Sequence, residues 1–285
     1  MSYGALGAGN TGLTEVDAFI PELWSDYVYG YLERKLVFRP LVDDYSEFVQ
    51  GKGDTIHVPS LSEVAVQTKA ENTAISYDAT TESVTDITID QHKYASKIFE
   101  DLAVIQANEG LVAKYSEAFA YSLAKEIDAF IASKVITVTS GDTLTTDDII
   151  TSAELQTALA SLGEADMDYR DGNLVFAVNP TVYADLLHED RLVRWDARGD
   201  SAIGSGMIEK AYGMPVVMTN ALGTGGTNVS GVIFDKSAVG FAMQQGVRMQ
   251  SEYSVDHLGT KVVADAIYGG ALVNATRGYK FTNAT

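Results

Sequence analysis

The chain has 285 residues, 46% of them hydrophobic, so it can bury a sizeable core as one large domain or two intimately joined ones, and disorder throughout is excluded. Lys plus Arg number 20 against 39 Asp plus Glu, a formal charge of -19, which argues against a surface that grips duplex DNA because phosphates would be repelled. There is no cysteine, which removes disulfides, thiolate metal sites and a Cys nucleophile together.

Residues 1–14 are rich in Gly, Ala, Asn and Thr with few anchors, and read as an arm ordered only against something else. No basic region precedes an apolar stretch there, and no run approaches about 18 uninterrupted apolar residues, so neither a secretion signal nor a membrane span is expected. From Thr14 the spacing of Val16, Phe19, Ile20, Leu23, Trp24, Tyr27, Val28, Tyr31 and Leu32 predicts an amphipathic helix broken near Pro21. Residues 54–61 alternate through Ile56 and Val58 as a strand ended by Pro59. Residues 62–83 carry only Val64, Val66, Ile75 and Tyr77 as bulky apolar groups, and 83–98 return as one long strand. Two strands joined by a polar tip make an extended flap, whose ordering entropy a partner surface offsets better than the subunit itself.

From Leu111 the residues Val112, Tyr115, Phe119, Leu123, Ile127, Phe130 and Ile131 recur every three to four positions, which predicts one long helix to about Ser133. Phe119, Leu123 and Ile127 are expected inside, while Lys114, Glu117, Lys125, Glu126, Asp128 and Lys134 fall mostly on the other face, toward solvent or a polar neighbour. Such a rod can serve as a spine. After it, 135–140 are β-rich, and a helix begins at 145–148 and runs to Leu162, with Ile149, Ile150, Leu155 and Leu159 inward and Gly163 closing it. The apolar run 173–179 reads as a buried strand and 181–187 as a helical turn. Strands follow at 212–218, 231–234 and 238–243, then an alternating stretch at 247–255, and 261–275 and 279–281 close the chain. The pattern is α+β with intermingled subdomains.

Catalytic constellations are not legible. His188, Glu189 and Asp190, with Asp196 and Asp200, have metal-ligand chemistry, but their spacing matches neither a helical His pair nor a calcium loop, and a solvated charged loop explains them better. His57, His92 and His257 are isolated in sequence. Gly204-Ser205-Gly206 lacks the last glycine of a dinucleotide loop, Gly223-Thr224-Gly225-Gly226 lacks a phosphate-binding Lys, and no Gly-x-Ser-x-Gly elbow occurs. Glu63, Glu71, Asp78, Glu82 and Asp86 on the flap read as a solvated or inter-subunit charge pattern. No catalytic, cofactor or metal residue is assigned, and an enzyme is not expected. The loop 188–208 alternates Arg191, Arg194 and Arg198 with acidic residues around Trp195. That pattern suits copies meeting in a ring, the plain alternative being a solvated loop.

The order of parts is similar to one family. An arm, a projecting flap, Ile98-Phe99-Glu100-Asp101-Leu102-Ala103 before a spine with Glu126-Ile127-Asp128-Ala129, then Tyr212-Gly213-Met214-Pro215-Val216-Val217-Met218-Thr219-Asn220 and Tyr268-Gly269-Gly270-Ala271-Leu272-Val273 resemble the major capsid proteins of tailed bacteriophages. The resemblance implies an arm and following helix at 1–30, a first piece of a peripheral domain at 31–61 and an extended loop at 62–97. It further implies the peripheral domain with its spine helix at 98–144, an axial domain at 145–262, and strands returning to the peripheral domain at 263–285. It implies pentamers and hexamers in an icosahedral shell around double-stranded DNA, a virion location after assembly in the host cytoplasm, and a portal protein and a decoration protein as partners. A separate scaffolding protein is expected because the chain begins directly with its short arm. No cofactor, membrane or sequence-specific nucleic-acid partner is expected. Subunit contacts are expected at Lys69, Glu71, Asp78 and Glu82 of the flap and at Arg191, Arg194, Trp195, Asp196 and Arg198, a loop then placed at the tip of the axial domain. An encapsulin-like shell shares the architecture, and an acidic metal-dependent hydrolase built on 188–200 is the alternative from another class.

Overall fold

The computed structural model describes residues 37–49, 52–61, 66–75, 77, 82–101, 111–144, 149–165, 167, 173–187, 208, 210–222 and 228–283. In chain order its elements are β1 (Asp43–Asp44), β2 (Thr55–Leu61), β3 (Glu82–Thr88), β4 (Gln91–Glu100), α1 (Leu111–Val135), β5 (Ser140–Leu144), α2 (Ser152–Glu164), β6 (Leu174–Val178), α3 (Pro180–Leu186), β7 (Lys210–Ala211), β8 (Met214–Met218), β9 (Val229–Asp235), β10 (Val239–Ser254), β11 (Gly259–Leu272) and β12 (Gly278–Asn283). One compact unit holds His92–Lys125 and Gly246–Ala266; the other holds Lys35–Gln91, Glu126–Gln245 and Ile267–Thr285.

Helix α1 forms where good helix formers run without Gly or Pro. Leu123, Ile127, Ile131 and Val135 are buried, as the stripe requires, but Phe119 is only half-buried. Near the start of the stripe the cover is a short chain of rings, with Phe99 5.1 Å from Tyr115 and Tyr115 6.4 Å from Phe119. Asp128, placed on the polar face by its spacing, is buried. The β-rich residues after the helix do not start a strand. Ile136 and Thr137 donate their N–H groups back to Ala132 and Lys134, satisfying terminal carbonyls, and β5 begins only at Ser140.

In the second unit a six-stranded sheet runs in the order β5-β12-β9-β6-β8-β7. β6 is buried along its whole length, which is why its sequence is a continuous apolar run rather than an alternating one. Leu155, Ala158 and Leu162 of α2 and Val182 and Leu186 of α3 share one core with Phe176, Val178, Ile233 and Phe281 of the sheet. α2 starts at Ser152, after the expected start at 145–148, which lies outside the described residues, and it does so at a capping box in which Thr151 and Glu154 satisfy each other's backbone N–H. Gly163 lies inside the helix rather than closing it; the end is made by the Ala165 N–H folding back onto the last carbonyls. Ile149 sits before the cap and is partly exposed, while Ile150 is buried. β7 and β8 are joined by Tyr212 and Gly213, both at positive φ (49° and 92°), the left-handed pair that a two-residue hairpin turn needs.

A four-stranded sheet has the order β1-β10-β11-β4, and β2 and β3 form a two-stranded one. β10 is one strand of 16 residues, where the sequence suggested a short strand and a separate alternating stretch. Its hydrogen-bonded neighbour β11 is nearly as long, and β10 runs without a break through the polar interval at Gln244, Gln245 and Gly246. In the second unit Tyr268 of β11 packs between Phe130 (5.2 Å) and Phe241 (6.0 Å). Burial there, reinforced by the charge of Glu126, pushes its phenol up to about 12.

Candidate assembly surfaces

β2 and β3 pair antiparallel over seven positions, from Thr55 opposite Thr88 to Leu61 opposite Glu82. Alternation puts Ile56, Val58 and Ile87 on one face, against Val49, Tyr45, Ala242, Ala271 and Val273. That apolar face holds the root of the hairpin to its unit. Gly53, at φ 93°, turns the chain into β2 and gives its carbonyl to Gln244 at 2.7 Å, and the Ile89 N–H donates to the Asp54 carbonyl at 2.8 Å. The return is two strands, not one: after Ile89 and Asp90 the chain leaves β3 and enters β4 of a different sheet. Gly269 marks the crossing, because a Cβ there would lie 2.7 Å from the Ile89 Cα and closer still to the Thr88 carbonyl oxygen.

The outer face of the hairpin carries His57 paired with Asp86 at 2.6 Å, beside an exposed Val84. Beyond the paired strands Val66 is 100% exposed and Tyr77 88%, with Ile75 also outside. The tip turns at residues 70–73, where the Thr73 N–H reaches the Ala70 carbonyl and Asn72 takes φ 60°. Of the flap residues expected at a subunit contact, Lys69 precedes this turn and Glu71 lies within it, and both are exposed. Glu82 begins β3 by its backbone, its side chain lying outside the described residues, as does Asp78. Arg191, Arg194, Trp195, Asp196 and Arg198 all lie outside the described residues, and so does the cluster from His188 to Asp200.

Two arrangements in the other unit had no sequence expectation. Asp265 of β11 takes two hydrogen bonds from the Arg248 guanidinium (2.7 and 3.0 Å) and pairs with the His92 ring at 3.1 Å. The Arg248 hydrogen bond, which outweighs burial, and then His92 hold the Asp265 carboxyl below the ordinary range, while the same contact raises Arg248. Second, the turn between β10 and β11 leaves Val255 and Leu258 exposed with Leu258 at φ 43°, a costly conformation for a branched side chain. The Asp101 N–H donates to the Leu258 carbonyl at 3.0 Å, and the Tyr253 hydroxyl donates to the Asp101 carboxylate at 2.7 Å. That hydrogen bond raises the Tyr253 phenol. The only advance signal was Asp256, His257 and Gly259, turn formers between two alternating runs. Among the described residues no three His, Cys, Asp or Glu side chains group to hold a metal ion, and no helix is long and apolar enough to cross a membrane.

A family model described as phage capsid protein matches residues 50–280. Among solved structures, one from Mycobacterium phage Che8 is 26% identical, with a TM-score of 0.76 over 92% of this chain and 97% of that one. The capsid of cyanophage P-SCSP1u is 18% identical with a TM-score of 0.78 over 97% and 96% of the two chains. The capsid of a native GTA particle, 12% identical, aligns over 98% of this chain and 100% of that one with a TM-score of 0.74. No curated protein matches.

Proposed function

The chain belongs to the phage capsid protein family and is a structural protein of the virion capsid, and from that premise we propose that it closes an icosahedral head as pentamers and hexamers around double-stranded DNA. The observation that carries this is the hairpin in which, among the described residues, the root is packed while Val66, Ile75 and Tyr77 stand exposed beyond it. Exposed apolar groups on an extended tip gain little for an isolated subunit and are covered when a second copy lies beneath them. We place Lys69, Glu71, Asp78 and Glu82 at that contact, and Arg191, Arg194, Trp195, Asp196 and Arg198 where copies meet around a symmetry axis. The arm and following helix at 1–30, a peripheral domain at 31–61, 98–144 and 263–285, an extended loop at 62–97 and an axial domain at 145–262 are the division that goes with this reading. The net charge of -19 suits a container whose wall lets packaged DNA slide without adhering. Scaffolding, portal and decoration proteins are its natural partners, with assembly in the host cytoplasm. The family match favours this over a nanocompartment shell or a hydrolase.

Negative-stain microscopy of the protein expressed with and without its scaffolding protein tests the reading. Closed particles of uniform size are expected; soluble subunits alone, at every concentration and with scaffold present, would overturn it. Arg194→Glu is expected to impair capsomers without changing the melting of the subunit, and adding Asp196→Arg to restore them in part.

A further inference from the structure

Residues 255–258 turn the chain from β10 into β11 and leave Val255 (75% exposed) and Leu258 (63%) in solvent, with Tyr253 half-exposed just before them. An apolar side chain on a turn that can relax is ordinary, but this turn is held. The Leu258 φ of 43° is a conformation that a branched side chain keeps only when its surroundings impose it. Three contacts with the end of β4 and the residue after it do so. The Asp101 N–H donates to the Leu258 carbonyl at 3.0 Å, and the Tyr253 hydroxyl donates to the Asp101 carboxylate at 2.7 Å. Gly259 lets the backbone come down onto β4, since a Cβ there would lie 2.5 Å from the Phe99 carbonyl oxygen and 3.0 Å from the Glu100 Cα. Phe99 is itself anchored, buried with its ring 5.1 Å from that of Tyr115. Asp101 thus grips the turn twice, by main chain and by side chain, and it stands in the stretch 98–103 that the sequence singled out without a role.

A strained turn held so that two apolar side chains face water points to something that covers them. The surrounding charges say what it is. On the side of β10 lie Glu252 and Asp256; on the side of β11 lie His257 and Lys261. Arg248, further along β10, is already neutralised by Asp265, so it does not cancel the acidic side. The hairpin end therefore carries opposite signs on its two sides with Val255 and Leu258 between them. Such an end complements itself head to tail: the acidic side of one copy faces the basic side of the next, and the apolar residues meet in the middle. In a chain of net charge -19, copies repel over most of their surface, and a patch with both signs is where that repulsion falls away. We propose that residues 252–261 are a docking surface for a second copy of this chain, with Asp101 as the positioning residue that holds the turn in its docking shape. The grip of Asp101 is a property of the single chain; the docking rests on the capsid reading.

The test has one arm on the unassembled full-length chain and one on assembly. Amide exchange at Asp101, with the β6 amides of Phe176 and Val178 as reference, reads the grip. Asp101 is expected to be protected, and Tyr253→Phe, which removes only the hydroxyl, should speed its exchange ~3–10-fold and leave the references unchanged. No acceleration, or equal acceleration at all three amides, would overturn Asp101 as the positioning residue. Leu258→Gly reads the docking. Glycine takes a positive φ without strain, so this variant should melt with the unaltered protein. It should nevertheless need ~10-fold more protein before closed particles appear in negative stain, because the apolar contact is gone. Val255→Ser, at the other end of the turn, should behave in the same way. Glu252→Lys should impair assembly too, and adding Lys261→Glu, which exchanges the signs of the two sides, should restore it in part. Particles at the ordinary concentration from Leu258→Gly, Val255→Ser and Glu252→Lys would overturn the docking surface and leave the capsid reading intact. No particles from the unaltered chain, with scaffold present, would overturn the capsid reading and the docking with it, while the exchange result stands.

Discussion

Replacing Gly269 by alanine asks whether the root of the flap sits where the structure puts it. The added Cβ would meet only backbone: the Ile89 Cα at 2.7 Å, the Thr88 carbonyl carbon at 2.8 Å and, closer, the Thr88 oxygen. No rotamer relieves a clash with main chain, so the end of β3 must move, and with it Ile87, which is fully buried against Val49 and Ala242. Overpacking of this kind costs about 1–3 kcal/mol, and a backbone obstacle puts it toward the upper end. Alanine returns about 0.4–1 kcal/mol by restricting the unfolded chain. The net loss is then about 2 kcal/mol, a fall in melting temperature of roughly 4–8 °C for a domain of this size. Gly270→Ala is the control, because its Cβ would meet the Gly240 oxygen at 3.1 Å and a Phe130 ring carbon at 3.2 Å, contacts that a few tenths of an ångström relieve. Thermal and urea unfolding of both variants, monitored by circular dichroism, give the comparison. If Gly269→Ala melts with the unaltered protein, or above Gly270→Ala, the crossing of Thr88 over Gly269 is wrong and so is the rooted flap.

Deleting 66–80 should leave a soluble, folded subunit that forms no shells, since among the described residues the packed face of the hairpin lies at its root; a deletion product without a cooperative transition would place the segment in the core. Leu123→Ala should cost about 2–5 kcal/mol because the side chain is buried, and Phe119→Ala less than the roughly 3–5 kcal/mol of a fully buried phenylalanine. The reverse order in urea unfolding would contradict the half-buried position of Phe119. Asp265, whose folded carboxyl lies below its ordinary value, contributes stability that is present above about pH 4 and lost as the pH falls through the folded value. The stability gap between the unaltered protein and Asp265→Asn, measured by urea titration between about pH 2 and 6, should therefore close on the acid side; a gap independent of pH would show that Arg248 does not hold the ionised form.

Periodicity alone determined α1 and β6, because an apolar stripe at helical spacing and an unbroken apolar run each have one low-energy way to be buried. The polar interval between residues 61 and 82 likewise announced a flap, for lack of side chains to pack. Three features were settled only by the tertiary structure. Asp128 lies one residue beyond Ile127 at the edge of the stripe, and whether such a residue meets water or backbone N–H groups depends on a segment 90 residues away. The break at Ile89 and Asp90 has strand-like residues on both sides, and it falls where β3 and β4 find partners in different sheets. β5, Ser-Gly-Asp-Thr-Leu, has poor strand propensity and is a strand because β12 offers it a parallel ladder from Tyr279 opposite Ser140 to Asn283 opposite Leu144. A side chain's burial preference is written locally, but a backbone hydrogen bond needs a partner, and in a sheet that partner comes from far along the chain.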